Sequence, residues 1–77
     1  MAIRVRYFAS LREQIGRAED CLDREGVSTV EDVWRCVSGG VALPGIILAA
    51  VNAEYADISA EVKDGDEVAF FPPVTGG

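Results

Sequence analysis

The chain has 77 residues, of which 49% are hydrophobic and 26% are charged, and its formal net charge is −6 with no histidine. This composition is typical of one small folded domain, expected to span residues 1–77, and it excludes a disordered chain. The 7 basic residues are distributed along the chain and form no cluster, which argues against nucleic-acid binding. The chain has no histidine, the commonest metal ligand, so no metal site is expected.

The first predicted element is a strand over residues 3–9 (IRVRYFA), because apolar and polar side chains alternate there. One side of this strand is apolar and is expected to point into the core: Ile3, Val5 and Tyr7. The other side carries two arginines and one aromatic ring, and it is expected to meet solvent or a partner: Arg4, Arg6 and Phe8.

Two shorter elements follow this strand. The segment SLREQIG predicts a short helix, which Ser10 and Glu13 cap and which Gly16 ends in the left-handed conformation. Residues 18–23 (AEDCLD) predict a strand polar enough to lie at the edge of a sheet.

The clearest helix lies in the segment VSTVEDVWRCVSGG. Ser28 and Glu31 predict a capping box at its start, and Gly39 and Gly40 predict its end. Its apolar residues recur with helical spacing and are expected to pack in the core: Val30, Val33, Trp34 and Val37.

Three further strands are predicted, at residues 46–52, 54–57 and 67–73. The first of them shows no alternation, which indicates burial on both faces. Asn52 starts the turn after it, and Gly65 is expected to adopt a positive φ in the turn KDGDE before the last strand. Pro72 and Pro73 end that strand, because proline cannot donate to a strand ladder. The order of elements predicts an α+β roll in which a sheet grasps one main helix.

Apolar runs in this sequence are short, and the longest, Gly45 to Val51, is far below the length of a membrane span. The segment MAIRVRYFAS lacks the continuous apolar core of a signal peptide, so we expect a cytoplasmic location without membrane association. In that compartment we expect Cys21 and Cys36 to be small, half-buried hydrophobic residues and not a disulfide.

Three segments resemble the MoaD/ThiS sulfur-carrier family: IRVRYFASLRE, ILAAVN and DGDEVAFFPPVTGG. The last of these is most similar to the small subunits of molybdopterin synthase. The resemblance implies the β-grasp (ubiquitin-like) fold, a mixed sheet packed on one main helix. In that fold the first and last strands lie side by side and parallel, and a flexible Gly-Gly tail follows, here residues 72–77.

The resemblance also implies a carrier that works through its last residue. In the family, a ubiquitin-activating-type adenylyltransferase uses ATP and Mg²⁺ to adenylate the terminal glycine, here Gly77, and sulfur then converts it to a thiocarboxylate. The large subunit of molybdopterin synthase holds the active site where this group gives sulfur to cyclic pyranopterin monophosphate, forming the molybdopterin dithiolene. The implied complex has two small and two large subunits. The chain alone is not expected to be an enzyme, and its cofactor is only the covalent sulfur.

Strand parity and the resemblance together predict a docking surface on the outward side of the sheet. Phe8 and Phe71 point outward by parity, and Tyr55 matches an interface position of the family. Four tail residues are expected to add contacts inside the partner: Pro72, Pro73, Val74 and Thr75. Gly76 and Gly77 have no Cβ, so the backbone can pass through a narrow channel to the reacting atoms.

Two other functions stay open on the sequence alone. Thiazole-pathway carriers share the terminal Gly76-Gly77 pattern but typically lack the Phe-Phe-Pro-Pro sequence at residues 70–73. A β-grasp interaction module without any chemistry would use the same fold and leave the tail idle. A ubiquitin-like protein tag is disfavoured, because this chain is shorter and keeps the molybdopterin-type tail.

Overall fold

The computed structural model describes residues 2–23, 25–39 and 47–72 of the chain. Within these ranges it has five strands and two helices, in the order that the sequence predicts. Their bounds are β1 Ala2–Tyr7, α1 Ala9–Ile15, β2 Glu19–Asp23, α2 Val30–Ser38, β3 Leu48–Val51, β4 Glu54–Ala56 and β5 Glu67–Phe71. α1 has seven residues and α2 has nine, so neither of these described helices is long and apolar enough to cross a membrane.

The strands form one mixed sheet with the order β2-β1-β5-β3-β4. β5 is its central strand and runs parallel to β1, with Val5 opposite Val68, while the other three pairs are antiparallel. The parallel pair of first and last strands confirms the β-grasp arrangement that the resemblance implies. The strand order also confirms the prediction that β2 is an edge strand.

The core lies between one face of the sheet and α2. The largest fully buried side chains are Tyr7, Phe70, Ile3, Val5, Val30, Val33 and Val68. Phe70 stacks on the ring of Tyr7 with 6.5 Å between centroids, and it meets the edge of Trp34 at 5.2 Å. The predicted inward side of β1 and the predicted apolar stripe of α2 are therefore both confirmed, with Val37 only half-buried at the end of the stripe.

A polar bridge ties β1 to β2 and to the end of α2. The Tyr7 hydroxyl donates to the Asp20 carboxylate at 2.9 Å, and Arg17 Nε donates to the same carboxylate at 2.7 Å. Burial, followed by the hydrogen bond to Asp20, raises the pKa of the Tyr7 phenol well above its usual value, so the hydroxyl remains a donor. Arg17 Nη2 also donates to the carbonyl of Val37 at 3.2 Å, which links the sheet to the helix.

The predicted cap of α1 is wrong. The helix begins at Ala9, its N-cap is Phe8, and no side chain caps it, so Ser10 lies inside the helix and Glu13 closes no capping box. The reason is tertiary: the backbone N–H of Phe8 donates to the carbonyl of Phe70 at 3.1 Å. The chain therefore stays bound to β5 through Phe8 and must turn into the helix at once, with Ala9 at a φ of 54°.

The predicted capping box of α2 is displaced by one residue. Thr29, not Ser28, is the N-cap, and Asp32, not Glu31, closes the box: Asp32 Oδ2 accepts from the backbone N–H of Thr29 at 3.1 Å. Thr29 pairs with Glu61 in an isolated bridge, which holds it extended and delays the start of the helix. Hydrogen bonds first from the backbone and side chain of Ser28, and then from Thr29, lower the pKa of Asp32.

The ends of both helices agree with the sequence. Gly16 and Gly39 adopt left-handed φ values of 85° and 73°, and their N–H groups donate to carbonyls of the last helical turn. Gly40 lies outside the described residues.

The turn between β3 and β4 contains two residues with positive φ that are not glycine, Asn52 at 51° and Ala53 at 69°. This two-residue loop has the φ signs of a type I′ turn, for which Asn-Gly is the preferred pair. Left-handed backbone costs a residue with a Cβ roughly 1–2 kcal/mol, whereas glycine adds roughly 0.5–1 kcal/mol of unfolded-state entropy. Ala53→Gly should therefore raise the free energy of unfolding by about 0.5–1 kcal/mol, measured by urea denaturation.

Gly65 supplies the opposite control, because it adopts a φ of 89° as predicted and the space around an added Cβ is open. Gly65→Ala should lower the free energy of unfolding by about 0.5–1 kcal/mol, because the backbone strain exceeds the unfolded-state entropy that alanine removes. Equal effects of the two substitutions would contradict this account of the turns.

The two cysteines differ in environment. Cys36 is half-buried against the core, as expected, but Cys21 is exposed, so its predicted burial is wrong. Cys21 lies on the edge strand opposite Arg4, on the side of the sheet that α2 does not cover.

Candidate functional site

The side of the sheet opposite α2, here called the outer face, carries the predicted docking residues. Strand register assigns its members, two or three from each strand except β4, which has one: Glu19, Cys21 and Asp23; Ala2, Arg4 and Arg6; Glu67, Ala69 and Phe71; Leu48 and Ala50; and Tyr55. Aromatic and aliphatic residues gather where β1 and β5 end, and charged residues gather where these strands begin. The outer face therefore has an apolar end and a charged end.

Tyr55 and Phe71 form the centre of the apolar end. Their ring centroids lie 5.7 Å apart at an interplanar angle of 58°. Tyr55 is 79% exposed, and Phe71 is half-buried beside it. Leu48 lies opposite Phe71 and Ala50 lies opposite Tyr55 in the strand register, so an aliphatic side chain lies beside each ring. An exposed ring held in this way is typical of a binding surface.

Phe8 lies on the same side of the sheet, but its ring contact is with a cation. The guanidinium of Arg6 lies 5.4 Å from the centroid of the Phe8 ring, and Arg6 Nη1 lies 3.4 Å from Glu67 Oε1. Phe8 is 42% exposed. The structure thus places all three predicted aromatic residues on the outer face and brings two of them, Tyr55 and Phe71, into ring contact.

The tail leaves the sheet at this apolar end. Pro72 follows Phe71 directly at the end of the central strand and is half-buried. The other predicted tail residues lie outside the described residues: Pro73, Val74, Thr75, Gly76 and Gly77. Because β5 is central, β1 and β3 flank the root of the tail, with Phe8 just beyond the end of β1 and Leu48 of β3 opposite Phe71.

Sequence reasoning missed one exposed apolar residue beside the site. Ile58 is 37% exposed and borders, with Tyr55 and Leu48, a groove of about 360 Å³ at the β4 edge. It lies in a turn, where strand parity makes no prediction. The Arg6–Glu67 pair was also missed, and pairing β1 with β5 in parallel would not have found it, because the register places Arg4, not Arg6, opposite Glu67.

The charged end of the outer face contains a second groove, here called the Arg4 groove. Its volume is about 310 Å³, and it is lined by Ala2, Arg4, Cys21, Asn52, Gly65 and Glu67. Asn52 Nδ2 donates to Asp66 at 3.0 Å, and this bond, followed by one from the backbone N–H of Lys63, lowers the pKa of Asp66. In the part of the chain that the structure describes, no cluster of histidine, cysteine or carboxylate residues is arranged to hold a metal ion.

Comparison with known proteins finds matches across this whole arrangement. The family model described as "ThiS family" matches residues 5–77. The chain is 41% identical over 80 residues to the molybdopterin synthase sulfur carrier subunit of Escherichia coli, covering 97% of this chain and 99% of that protein. It is 35% identical to the protein of the same name from Chlamydomonas reinhardtii, over the full length of both. The crystal structure of SAMP1 from Haloferax volcanii superposes with a TM-score of 0.82 at 29% identity, over the full length of both chains.

Proposed function

The chain belongs to the ThiS family, and from this membership we propose that it is the sulfur carrier subunit of a molybdopterin synthase, with Gly77 as the residue that carries the sulfur. One observation carries the proposal: 41% identity to a sulfur carrier subunit over nearly the full length of both chains. The family match extends through Gly77, so the proposed reactive residue falls within the matched range.

The first chemical step is activation of the Gly77 carboxylate. A carboxylate is a poor electrophile, because its negative charge and resonance both oppose nucleophilic attack. In the proposal, an adenylyltransferase of the ubiquitin-activating type binds ATP and Mg²⁺, and a carboxylate oxygen attacks the α-phosphate. Pyrophosphate leaves, and the resulting acyl-adenylate has AMP as a good leaving group.

The second step places sulfur on the same carbonyl carbon. A sulfur atom from a persulfide attacks the acyl-adenylate and displaces AMP, and a thiol then cleaves the sulfur–sulfur bond and is oxidised to a disulfide. A thiocarboxylate remains at Gly77. Its sulfur is a softer nucleophile than the original oxygen, and in the active site that we place in the large subunit it attacks a carbon of cyclic pyranopterin monophosphate and displaces an oxygen substituent. Water then cleaves the resulting thioester, which leaves the sulfur on the pterin and restores the Gly77 carboxylate. Two such carriers with two large subunits are the proposed complex.

Insertion of the tail must overcome a large entropic cost. Ordering four tail residues costs roughly 4–8 kcal/mol, at about 1–2 kcal/mol for each backbone. Pro72 and Pro73 reduce this cost because their φ angles are restricted before docking. The outer face supplies the rest, with the exposed Tyr55 and the half-buried Phe71 as the aromatic anchors beside the root of the tail.

A second candidate, attachment of Gly77 to an amine of another protein, is favoured by one observation. The chain superposes on SAMP1, small archaeal modifier protein 1, with a TM-score of 0.82. Both candidates share the acyl-adenylate and differ in the nucleophile that displaces AMP. A thiazole-pathway carrier would share the thiocarboxylate and differ only in the acceptor.

Intact-mass measurement distinguishes these functions. The purified chain is incubated with ATP, Mg²⁺, the adenylyltransferase and a persulfide donor. We expect the mass to rise by the difference between one sulfur and one oxygen atom, and the loaded chain with the large subunit to convert cyclic pyranopterin monophosphate to molybdopterin. A chain that is loaded but inert with the large subunit would favour the thiazole type. Covalent adducts with other proteins would favour attachment of Gly77 to a protein amine. An unchanged mass would favour a β-grasp interaction module without any chemistry.

A further inference from the structure

Of the two arginines on the outer face, Arg4 is the one without a partner among the described residues. Among residues 2–23, 25–39 and 47–72, no carboxylate or hydrogen-bond acceptor contacts its guanidinium. Its side chain is exposed and lines the Arg4 groove. Arg6, two residues further along β1, is in contrast held by Glu67 and by the ring of Phe8.

The other polar walls of the Arg4 groove are already engaged. The carboxylate of Glu67 accepts from Arg6 at 3.4 Å. The side chain of Asn52 uses both of its ends, since Nδ2 donates to Asp66 and Oδ1 accepts from the backbone N–H of Glu67, each at 3.0 Å. The register places Glu67 opposite Arg4, but the ion pair of Glu67 is with Arg6, and neither Glu67 nor Asn52 contacts the Arg4 guanidinium.

The Arg4 groove belongs to the same surface as the docking aromatics. Arg4 lies four residues before Phe8 on or beside β1, which at about 3.3 Å per residue is roughly 13 Å. A partner that buries about 800 Å² covers a patch of roughly 16 Å radius. Arg4 also lies one strand across and four residues along from Phe71, so a partner centred between Phe8 and Phe71 reaches Arg4 near the edge of the covered patch.

Burial of an unpaired guanidinium under a partner is strongly unfavourable unless the partner supplies an anion. We propose that Arg4 is a specificity-determining residue of the outer face and that it receives a carboxylate side chain of the large subunit in the Arg4 groove. This inference rests on the proposed function. The ion pair between Arg4 and this carboxylate sets the orientation of docking. If the large subunit were bound to Tyr55 and Phe71 in a rotated orientation, Arg4 would be covered without an anion beside it.

Calorimetric titration with the purified large subunit from the same organism tests the inference. Arg4→Glu should weaken binding by about tenfold or more, because two carboxylates then meet in the groove, and Arg4→Gln should weaken it severalfold. Arg4→Gln should also make the affinity less sensitive to salt. The matched control is Arg35→Glu, the same change of charge on exposed α2, on the other side of the sheet, and it should alter the affinity less than twofold.

The outcomes separate this inference from the function on which it rests. Thermal unfolding of each variant shows whether the fold is kept, and Arg4→Gln retains the size of the side chain. If Arg4→Glu and Arg35→Glu bind equally well while Phe71→Arg binds poorly, the role of Arg4 is wrong and the docking face stands. If the unaltered chain does not bind the large subunit, both proposals fail.

Discussion

Deletion of Gly77 is expected to abolish sulfur loading and molybdopterin formation while leaving the fold and the docking affinity unchanged. The deletion moves the terminal carboxylate back by one residue, about 3.3–3.6 Å of extended chain, and out of reach of the reacting atoms. The deletion removes no side chain, and the described core residues lie between Ile3 and Phe70, so stability should be unaffected. Intact mass after incubation with the adenylyltransferase, ATP and a persulfide donor is the measurement.

The matched control for this deletion is an alanine added after Gly77. This variant keeps Gly76 and Gly77 and moves only the terminal carboxylate. It therefore shows whether loading depends on where the carboxylate lies or only on the presence of Gly77. Both variants should bind the large subunit with the affinity of the unaltered chain, measured by calorimetry. Sulfur incorporation into either variant, without trimming of the added alanine, would remove the basis of the proposed chemistry.

Phe71→Arg is expected to weaken binding to the large subunit by about 30-fold or more, the effect of losing a hot spot worth roughly 2 kcal/mol. The substitution removes the ring that contacts Tyr55 and places a charge at the centre of the apolar end. Because the side chain of Phe71 points to the outer face, the thermal midpoint should change little. Binding to the adenylyltransferase should weaken as well, since we expect both partners to use this surface.

The neighbouring phenylalanine provides a sharp comparison. Phe70 is fully buried between Tyr7 and Trp34, and truncation of such a ring costs about 3–5 kcal/mol, so Phe70→Arg should unfold the chain. Gln14→Arg, an exposed change on α1 with the same added charge, should leave both binding and stability unaltered. Unfolding of Phe71→Arg would show that the side chain closes the core, and unaltered binding would show that the partner docks elsewhere.

Strand parity explains why so much of the outer face could be read from the sequence. Successive side chains of a strand point to opposite sides, so the alternation at residues 3–9 separates Val5 from Arg4 without any knowledge of the rest of the chain. The same rule separates Phe70 from Phe71. The turn glycines and prolines were equally readable, because their backbone restrictions are properties of single residues.

The helix starts show where local rules fail. Ser10 and Ser28 are good capping residues by their chemistry, but the caps are Phe8 and Thr29. In both cases a long-range backbone contact, to Phe70 or to Glu61, holds the chain extended up to a residue that local propensity does not select. A cap hydrogen bond contributes about 1 kcal/mol, which a shift of one residue in a strand pairing can readily outweigh.

The amino-acid sequence by itself determined the order of the elements, the buried and exposed sides of β1 and β5, and the identity of the terminal residues that we propose carry sulfur. Only the tertiary structure decided which outward residues meet: that Tyr55 touches Phe71, that Arg6 is held by Glu67 and Phe8, and that Arg4 lacks a partner among the described residues. The physical reason is that side-chain direction is set within a strand, whereas side-chain neighbours depend on the register between strands distant in the chain.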